Sequence, residues 1–600
     1  MKIVDKLQEK LSGLVEALSR YPVTVIFLLA AAVVNALAIN WEVDYSKYIL
    51  TLMVGASLGF TLQAAWERFF EKNIHRVALM GIGLILTLGY FLIVRQYTNT
   101  SLETWIRTSV ALFALFIAYI WVPVIKSKVS YNESFMAAFK SFFNALLFSA
   151  VLFTGITLII GAIDLLLFRV PDKSYMHALN IIGIIFAPIY FLSLIPVYPG
   201  VSDNNRSPEW LEQHQEKIRK TCACPKFLEI LISYIIIPLL SVYTIILIIY
   251  IGTNITAEFW TDNRLEPMLV GFAIAVILVY ILASTLENKF AVLSRKIFPK
   301  VLVPIVLFQI AASVLKTQET GITYGRYYVI LFGIFAAITG VLLSFMPVRK
   351  NGIVAALLIG FSLVSIVPPV DAFTVSRINQ EAMLKTVLAE NNMLQDNTVI
   401  PNASISEGDR KIISDTVSYL GMMDYTKDIA YLGKDFNPYD DFYTTFGFYR
   451  YAESPYGQQS IYLTLNQQAP INISGYDAFI VVNFYFKGNT SESLVSSFEK
   501  SGKTYTLSKD NTTDPGTLTL SDESGQELIS VNMKEVFDSF EPSAGGNYQI
   551  SKDAISPDQA TVTRENDKAA ISLVAVNLTI DKSNTEQPYS GDFYVLIKIK

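Results

Sequence analysis

Apolar stretches separated by short polar ones fill the first 370 residues, and the pattern then changes abruptly. A membrane-spanning helix needs about twenty consecutive, mostly apolar residues. Eleven stretches qualify, at 22–41, 46–66, 76–95, 105–125, 135–165, 174–197, 227–252, 267–286, 298–316, 326–346 and 351–370. The fifth is long, as expected of a tilted span or of a span with a helical extension. Ahead of them, Ile3, Leu7, Leu11, Leu14 and Leu18 recur at helical spacing among charges, which predicts an amphipathic segment over 1–20 lying on a membrane surface.

Hydropathy collapses after Pro368-Pro369, the main domain boundary. Residues 373–395 read as a helix whose apolar face is Phe373, Ile378, Met383 or Leu384, Val387, Leu388 and Leu394, and a second helix covers 409–421. Beyond about 445 the pattern alternates, with strands at Ser460–Leu465, Phe479–Phe486, Leu518–Leu520, Ile571–Val576 and Phe593–Ile599. Asp514-Pro515-Gly516 and Gly545-Gly546 supply turns, and short helices are expected near 491–500 and 533–540. The fold class is therefore an α-helical transmembrane bundle of about eleven helices, followed by an α+β, mainly antiparallel β-sandwich-like domain. The expected segments are 1–20 amphipathic, 21–370 transmembrane, 371–425 a helical connector and 426–600 the β-rich domain.

Charge adds a direction. Residues 1–370 hold 29 Lys and Arg against 21 Asp and Glu, whereas residues 371–600 hold 18 against 31. Within the bundle, twenty-one basic residues fall in segments on the side of the amino terminus and eight on the other. Positive residues stay inside, so the amino terminus is expected in the cytoplasm and the acidic domain outside. The first span ends Asn35-Ala36-Leu37-Ala38, which resembles a signal-peptidase site. A retained first helix is the reading preferred, and cleavage would leave the large domain on the same side. Only Cys222 and Cys224 occur, so the acidic domain has no disulfide framework. Basic residues sit in short clusters between spans, which argues against nucleic acid as a partner and leaves membrane lipids.

The chain carries Gly321-Ile322-Thr323-Tyr324-Gly325-Arg326-Tyr327-Tyr328, a Gly-Ile-Thr-x-x-Arg-Tyr-Tyr pattern. It also carries Phe227-Leu228, Ile237-Pro238-Leu239, the run Tyr243–Tyr250, Ser376-Arg377-x-x-Gln380 and Asn392-Met393-Leu394. Over about 20–425 it resembles a bacterial polytopic membrane-protein family catalogued as domain of unknown function 4153. The resemblance implies a bacterial envelope location and carries no activity.

Ionisable groups within spans are suspects for function, and few exist. Asp164, five residues before Arg169, reads as a local pair or a solvated carboxylate. Glu229 lies one turn into the seventh span and reads as interfacial. Arg326 would sit at the outer mouth of the tenth span, where it would bind an anionic headgroup or pair with a carboxylate. Pro188, Pro196, Pro238 and Pro304 can kink spans and expose carbonyls, in a pathway or in a static bundle. Val122-Pro123-Val124-Ile125 and Ile195-Pro196-Val197-Tyr198 hint at duplication.

Glu42-Val43-Asp44 could serve a glycosyltransferase-like enzyme as paired carboxylates, or be a solvated turn. Cys222, Cys224 and His214 offer too few ligands for zinc and read as a reduced thiol pair. Ser207-Pro208-Glu209 reads as the start of an interfacial helix. Tyr439, Tyr443 and Tyr449 belong to an aromatic run over 425–456 that would stack on sugars or peptides, rest on the membrane, or fill a core. Asp510, Asp514, Asp522 and Glu523 could bind calcium weakly but lack a calcium-loop spacing.

No catalytic constellation, metal set or cofactor motif emerges. The leading expectation is a non-enzymatic inner-membrane protein whose outer domain binds an envelope ligand or protein partner, in sensing or assembly. A transporter or channel comes second, and a membrane-embedded glycosyltransferase-like enzyme third.

Overall fold

The computed structural model describes residues 13–95, 101–201, 203, 206–254, 265–433, 435–448, 450, 460–466, 468–485, 493–510, 516–540, 555–581 and 588–600. Ten of its helices are long and apolar enough to cross a membrane. In chain order the bundle runs α1 Pro22–Trp41, α2 Ser46–Phe69, α3 Asn73–Val94, α4 Leu102–Trp121, α5 Tyr131–Leu166, α6 Lys173–Leu194, α7 Pro208–Cys222, α8 Lys226–Thr253, α9 Leu265–Leu282, α10 Lys289–Thr320, α11 Tyr324–Phe345 and α12 Val348–Ile366. Helix α7 is the polar one among them, and it starts where Ser207-Pro208-Glu209 predicts, with Ser207 Oγ accepting the Trp210 amide at 3.3 Å.

Helix α9 is apolar over only Glu266–Leu282, shorter than the other spans. It sits inside the bundle: Leu269, Phe272, Ala273 and Val276 are buried among the core side chains. The eleven expected apolar stretches are thus ten long helices and one short central one. The chain is a multi-pass membrane protein.

One end of the bundle is tied by arginines. Arg20 makes a two-point pair with Glu67 at 2.7 and 2.8 Å and donates to the Ile195 carbonyl, while Arg76 donates to Gln63 and to the Arg20 carbonyl. Arg68 donates to the carbonyls of Ile125, Lys126 and Pro199. The two apolar-Pro-Val segments therefore share an environment, since each presents a carbonyl to an arginine at this end.

Prolines reshape two spans in the same way. A six-residue π segment, Ile181–Phe186 in α6 and Leu231–Ile236 in α8, precedes Ala187-Pro188 and Ile237-Pro238. Each proline lacks an N–H and crowds the carbonyl four residues back, which lies inside the π segment. Pro196 lies beyond the end of α6, in extended chain, and Pro304 is inside α10. Helix α11 packs close on α10 at Gly340, where a Cβ would lie 3.1 Å from the Pro299 carbonyl oxygen.

The chain divides into two compact units, residues 1–390 with 415–438 and residues 391–414 with 439–600. The first unit also holds α13, Ala372–Glu390, and the second half of α14, Glu407–Met422. Phe373, Leu384, Val387 and Leu388 form the buried face of α13, as its spacing predicts, but Ile378 is exposed.

The second unit is an antiparallel sandwich with a short hairpin (β1 Leu394–Gln395, β2 Thr398–Val399) and a short helix α15, Phe442–Phe446. Its strands are β3 Ser460–Thr464, β4 Ala478–Tyr485, β5 Ser493–Lys500, β6 Lys503–Asp510, β7 Thr517–Ser521, β8 Glu527–Asn532, β9 Thr561–Glu565, β10 Ala569–Asp581 and β11 Tyr589–Ile599. One sheet has the order β3-β10-β11-β4 with β9 also on β10, and the other is β5-β6-β7-β8. Alternate side chains of both sheets meet in one core: Val482, Phe484, Leu573, Phe593 and Val595 from the first, Leu507, Leu518, Leu520 and Val531 from the second. Helix α16, Met533–Asp538, adds Val536 and Phe537 to that core.

The helix expected over 491–500 is instead β5. Leu494, Val495 and Phe498 fit a helical face, but pairing with β6 wins, placing Phe498 opposite Tyr505 with ring centroids 5.6 Å apart.

Candidate functional site

A polar assembly of the first unit lies where α4, α10 and α11 meet α13. It starts at Gly321, which ends α10 with φ +69° and leaves room for Gln380 and Asn379, into which a Cβ would collide. Only glycine takes that conformation cheaply. Gln380 Nε2 then donates to the Thr320 carbonyl at 3.0 Å, and Asn379 Oδ1 accepts the Ile322 amide at 2.6 Å. Thr323 caps α11 through the Arg326 amide at 3.3 Å. The Tyr324 amide donates to the Tyr419 hydroxyl at 3.0 Å, which donates in turn to Ser376 Oγ at 2.9 Å. Tyr327 donates to the Val370 carbonyl at 2.5 Å.

Asp371 begins α13. Wholly buried, it accepts the amides of Phe373 and Thr374 at 3.0 and 3.1 Å and pairs with Arg107 at 2.5 Å. The Arg107 guanidinium lies 4.7 Å from the centroid of the Phe373 ring and also binds Glu103 at 2.7 Å. Tyr425 donates to the other oxygen of Glu103 at 2.6 Å. Burial, then that hydrogen bond and the Glu103 charge, hold the Tyr425 hydroxyl far above its ordinary pKa, so it remains a donor. On α13, Arg377 pairs with Glu381 at 2.8 Å and with Asp428 at 3.2 Å. The arrangement is a clamp without a nucleophile–base pair.

Two segments singled out in the sequence are thus brought together, Gly321–Tyr328 and Ser376–Gln380. Arg326 serves the clamp from within: its Nη1 donates to Thr320 Oγ1. Arg107, Glu103 and Asp371 escaped sequence reasoning, and Tyr425 was read only as one member of the aromatic run. Asp371 carried a readable signal, an acidic N-cap residue directly before a helical pattern.

The other candidates lie apart. Asp164 accepts the Val170 amide at 2.7 Å and forms no ion pair with Arg169. Glu229 pairs with Lys226 at 3.2 Å. Glu42 pairs with Lys173 at 2.8 Å, which lowers its pKa, while Asp44 accepts from Ser46 at 2.8 Å, which lowers its own. Each carboxylate thus has its own partner. Cys222 is buried and Cys224 partly so, both as free thiols. His214 Nε2 lies 3.0 Å from the Val197 carbonyl oxygen, and no group of three His, Cys, Asp or Glu suited to a metal occurs among the described residues.

In the aromatic run, Tyr425, Tyr431 and Phe436 belong to the first unit, whereas Phe442, Phe446 and Phe448 pack together in the second with centroids 4.7–6.3 Å apart. Tyr439 and Tyr443 are exposed, and Arg450 covers the Tyr439 ring at 4.6 Å. Tyr449 lies outside the described residues, as do residues 1–12 of the amphipathic segment and Asp514.

Residues 23–399 match the family described as Domain of unknown function (DUF4153). The chain belongs to this family. The match takes in all the spans, the whole Gly321–Tyr328 motif and α13. Neither the curated proteins nor the solved structures compared with the chain gave a match.

Proposed function

We propose that this family member resides in the inner membrane of a bacterial envelope, with its amino terminus in the cytoplasm and its sandwich outside, where the sandwich binds a ligand or protein partner in sensing or assembly. The excess of basic residues on the amino-terminal side supports the orientation. The clamp carries the functional reading. A domain displayed passively needs only a linker, whereas α13 is bonded to α4, α10 and the segment 415–438 through Asp371, Gln380, Asn379, Ser376 and Arg377. Load on α13 therefore reaches the bundle through specific bonds. Two measurements test the proposal. A cysteine at exposed Ser524 should react with an impermeant thiol reagent in intact cells, and protection there would refute the orientation. Cells expressing a chain without 439–600 should show the deletion phenotype, and normal behaviour would refute the binding role.

The matched π segments before Pro188 and Pro238 favour a second reading, a transporter or channel for a small solute or lipid. Such segments free carbonyls within a span. Solute flux in proteoliposomes that disappears on Pro188→Ala with Pro238→Ala would favour it over the first.

A further inference from the structure

Two ion pairs hold α13 to its neighbours, one buried at Asp371 and one largely exposed at Asp428, and in each the arginine has a second carboxylate. Arg107, on α4, binds Asp371 of α13 at 2.5 Å and also Glu103, one turn away on its own helix, at 2.7 Å. Arg377, on α13, binds Asp428 at 3.2 Å and also Glu381, one turn away on its own helix, at 2.8 Å. Asp371 keeps the Phe373 and Thr374 amides whatever Arg107 does. Breaking an ion pair is most costly when it strands a charge away from water. Here neither arginine would be stranded, since each retains a carboxylate on its own helix, and the cost of opening falls on the wholly buried Asp371, which keeps only its amide donors. Three further bonds, Ser376 to Tyr419, Asn379 to Ile322 and Gln380 to Thr320, join neutral groups.

We propose that α13 is a releasable strap with a second position, in which Arg107 falls back on Glu103 and Arg377 on Glu381. The two local glutamates are then alternative partners that lower the cost of opening. In a static scaffold they serve only as one-turn pairs that stabilise their own helices, and there the loss of any ion pair loosens α13.

The two accounts differ in the sign of one effect. Ser376 is wholly buried against the Tyr419 hydroxyl, so a cysteine there reacts only when α13 moves. The experiment uses the full-length protein in detergent, with Cys222→Ser, Cys224→Ser and Ser376→Cys, and follows modification by a small maleimide. Asp428→Asn and Asp371→Asn should speed modification severalfold. Glu381→Gln should slow it severalfold, because Arg377 then loses its charged fallback and depends on Asp428. Equal or faster modification in Glu381→Gln would overturn the proposal. If Asp371→Asn fails to fold, Glu381→Gln still decides, since it leaves both pairs across the clamp in place.

Discussion

Arg107 Nη2 lies 2.5 Å from Asp371 Oδ1, joining residues 264 positions apart at a site where the aspartate is shut off from solvent. Removing the arginine leaves a buried carboxylate with amide donors alone. Arg107→Ala should therefore cost about 3–5 kcal/mol. Thermal unfolding in detergent should show a clearly lowered midpoint, and an unchanged midpoint would sink this account of the clamp.

Gly321→Ala should destabilise the turn between α10 and α11 by about 1–3 kcal/mol, since alanine would be strained at φ +69° and would collide with Gln380. Gly325→Ala, with nothing within 4 Å of the added carbon, is the control and should be close to neutral. Equal midpoints for the two variants would count against a steric role for Gly321.

The Tyr425 hydroxyl has its pKa raised in the folded state, chiefly by burial and then by Glu103. A raised pKa means that its contribution to stability is fully present below the ordinary value of 10.0 and is lost as pH climbs beyond it. Tyr425→Phe should thus remove a stabilisation that does not vary between pH 6 and 9. The difference in midpoint between the two proteins across that range is the check, and a slope there would contradict it.

Burial pushes the Cys222 thiol up to about 11. Thiolate is the reactive form, so alkylation by iodoacetamide in the folded protein should be slow at pH 8 and rise about tenfold per pH unit up to pH 10. Mass spectrometry of quenched samples would follow it, and rapid labelling at pH 7 would show that the thiol is not protected.

Phe446 is wholly buried in the second unit beside Phe442 and Phe448, whereas Tyr443 is about half exposed. Phe446→Ala should cost about 3–5 kcal/mol and Tyr443→Ala well under 1 kcal/mol. Limited proteolysis of the C-terminal unit should rank the two variants in that order.

Much of the fold was legible because its cause is local. Runs of about twenty apolar residues mark spans whatever surrounds them, and alternation marked β3, β4, β10 and β11. The segment 493–500 was not legible, since Leu494, Val495 and Phe498 suit either a helix or a strand until β6 lies beside them. The clamp was legible only in halves. The Gly321–Tyr328 motif and Ser376–Gln380 stood out as patterns, but nothing in either indicated that Gln380 would close on Thr320 or Tyr419 on Ser376.

By itself, then, the sequence determined a multi-pass bundle, an acidic β-rich domain after it, and the fall in hydropathy at Pro368-Pro369, because hydropathy and periodicity act over neighbouring residues, whereas the first compact unit runs on to residue 390 and takes in 415–438. Tertiary structure alone decided that Glu103, Arg107, Asp371 and Tyr425 share one site, and that Glu42 and Asp44 have separate partners. Ion pairs and hydrogen bonds depend on distances of about 3 Å between side chains hundreds of residues apart, and only the packing of helices sets those distances.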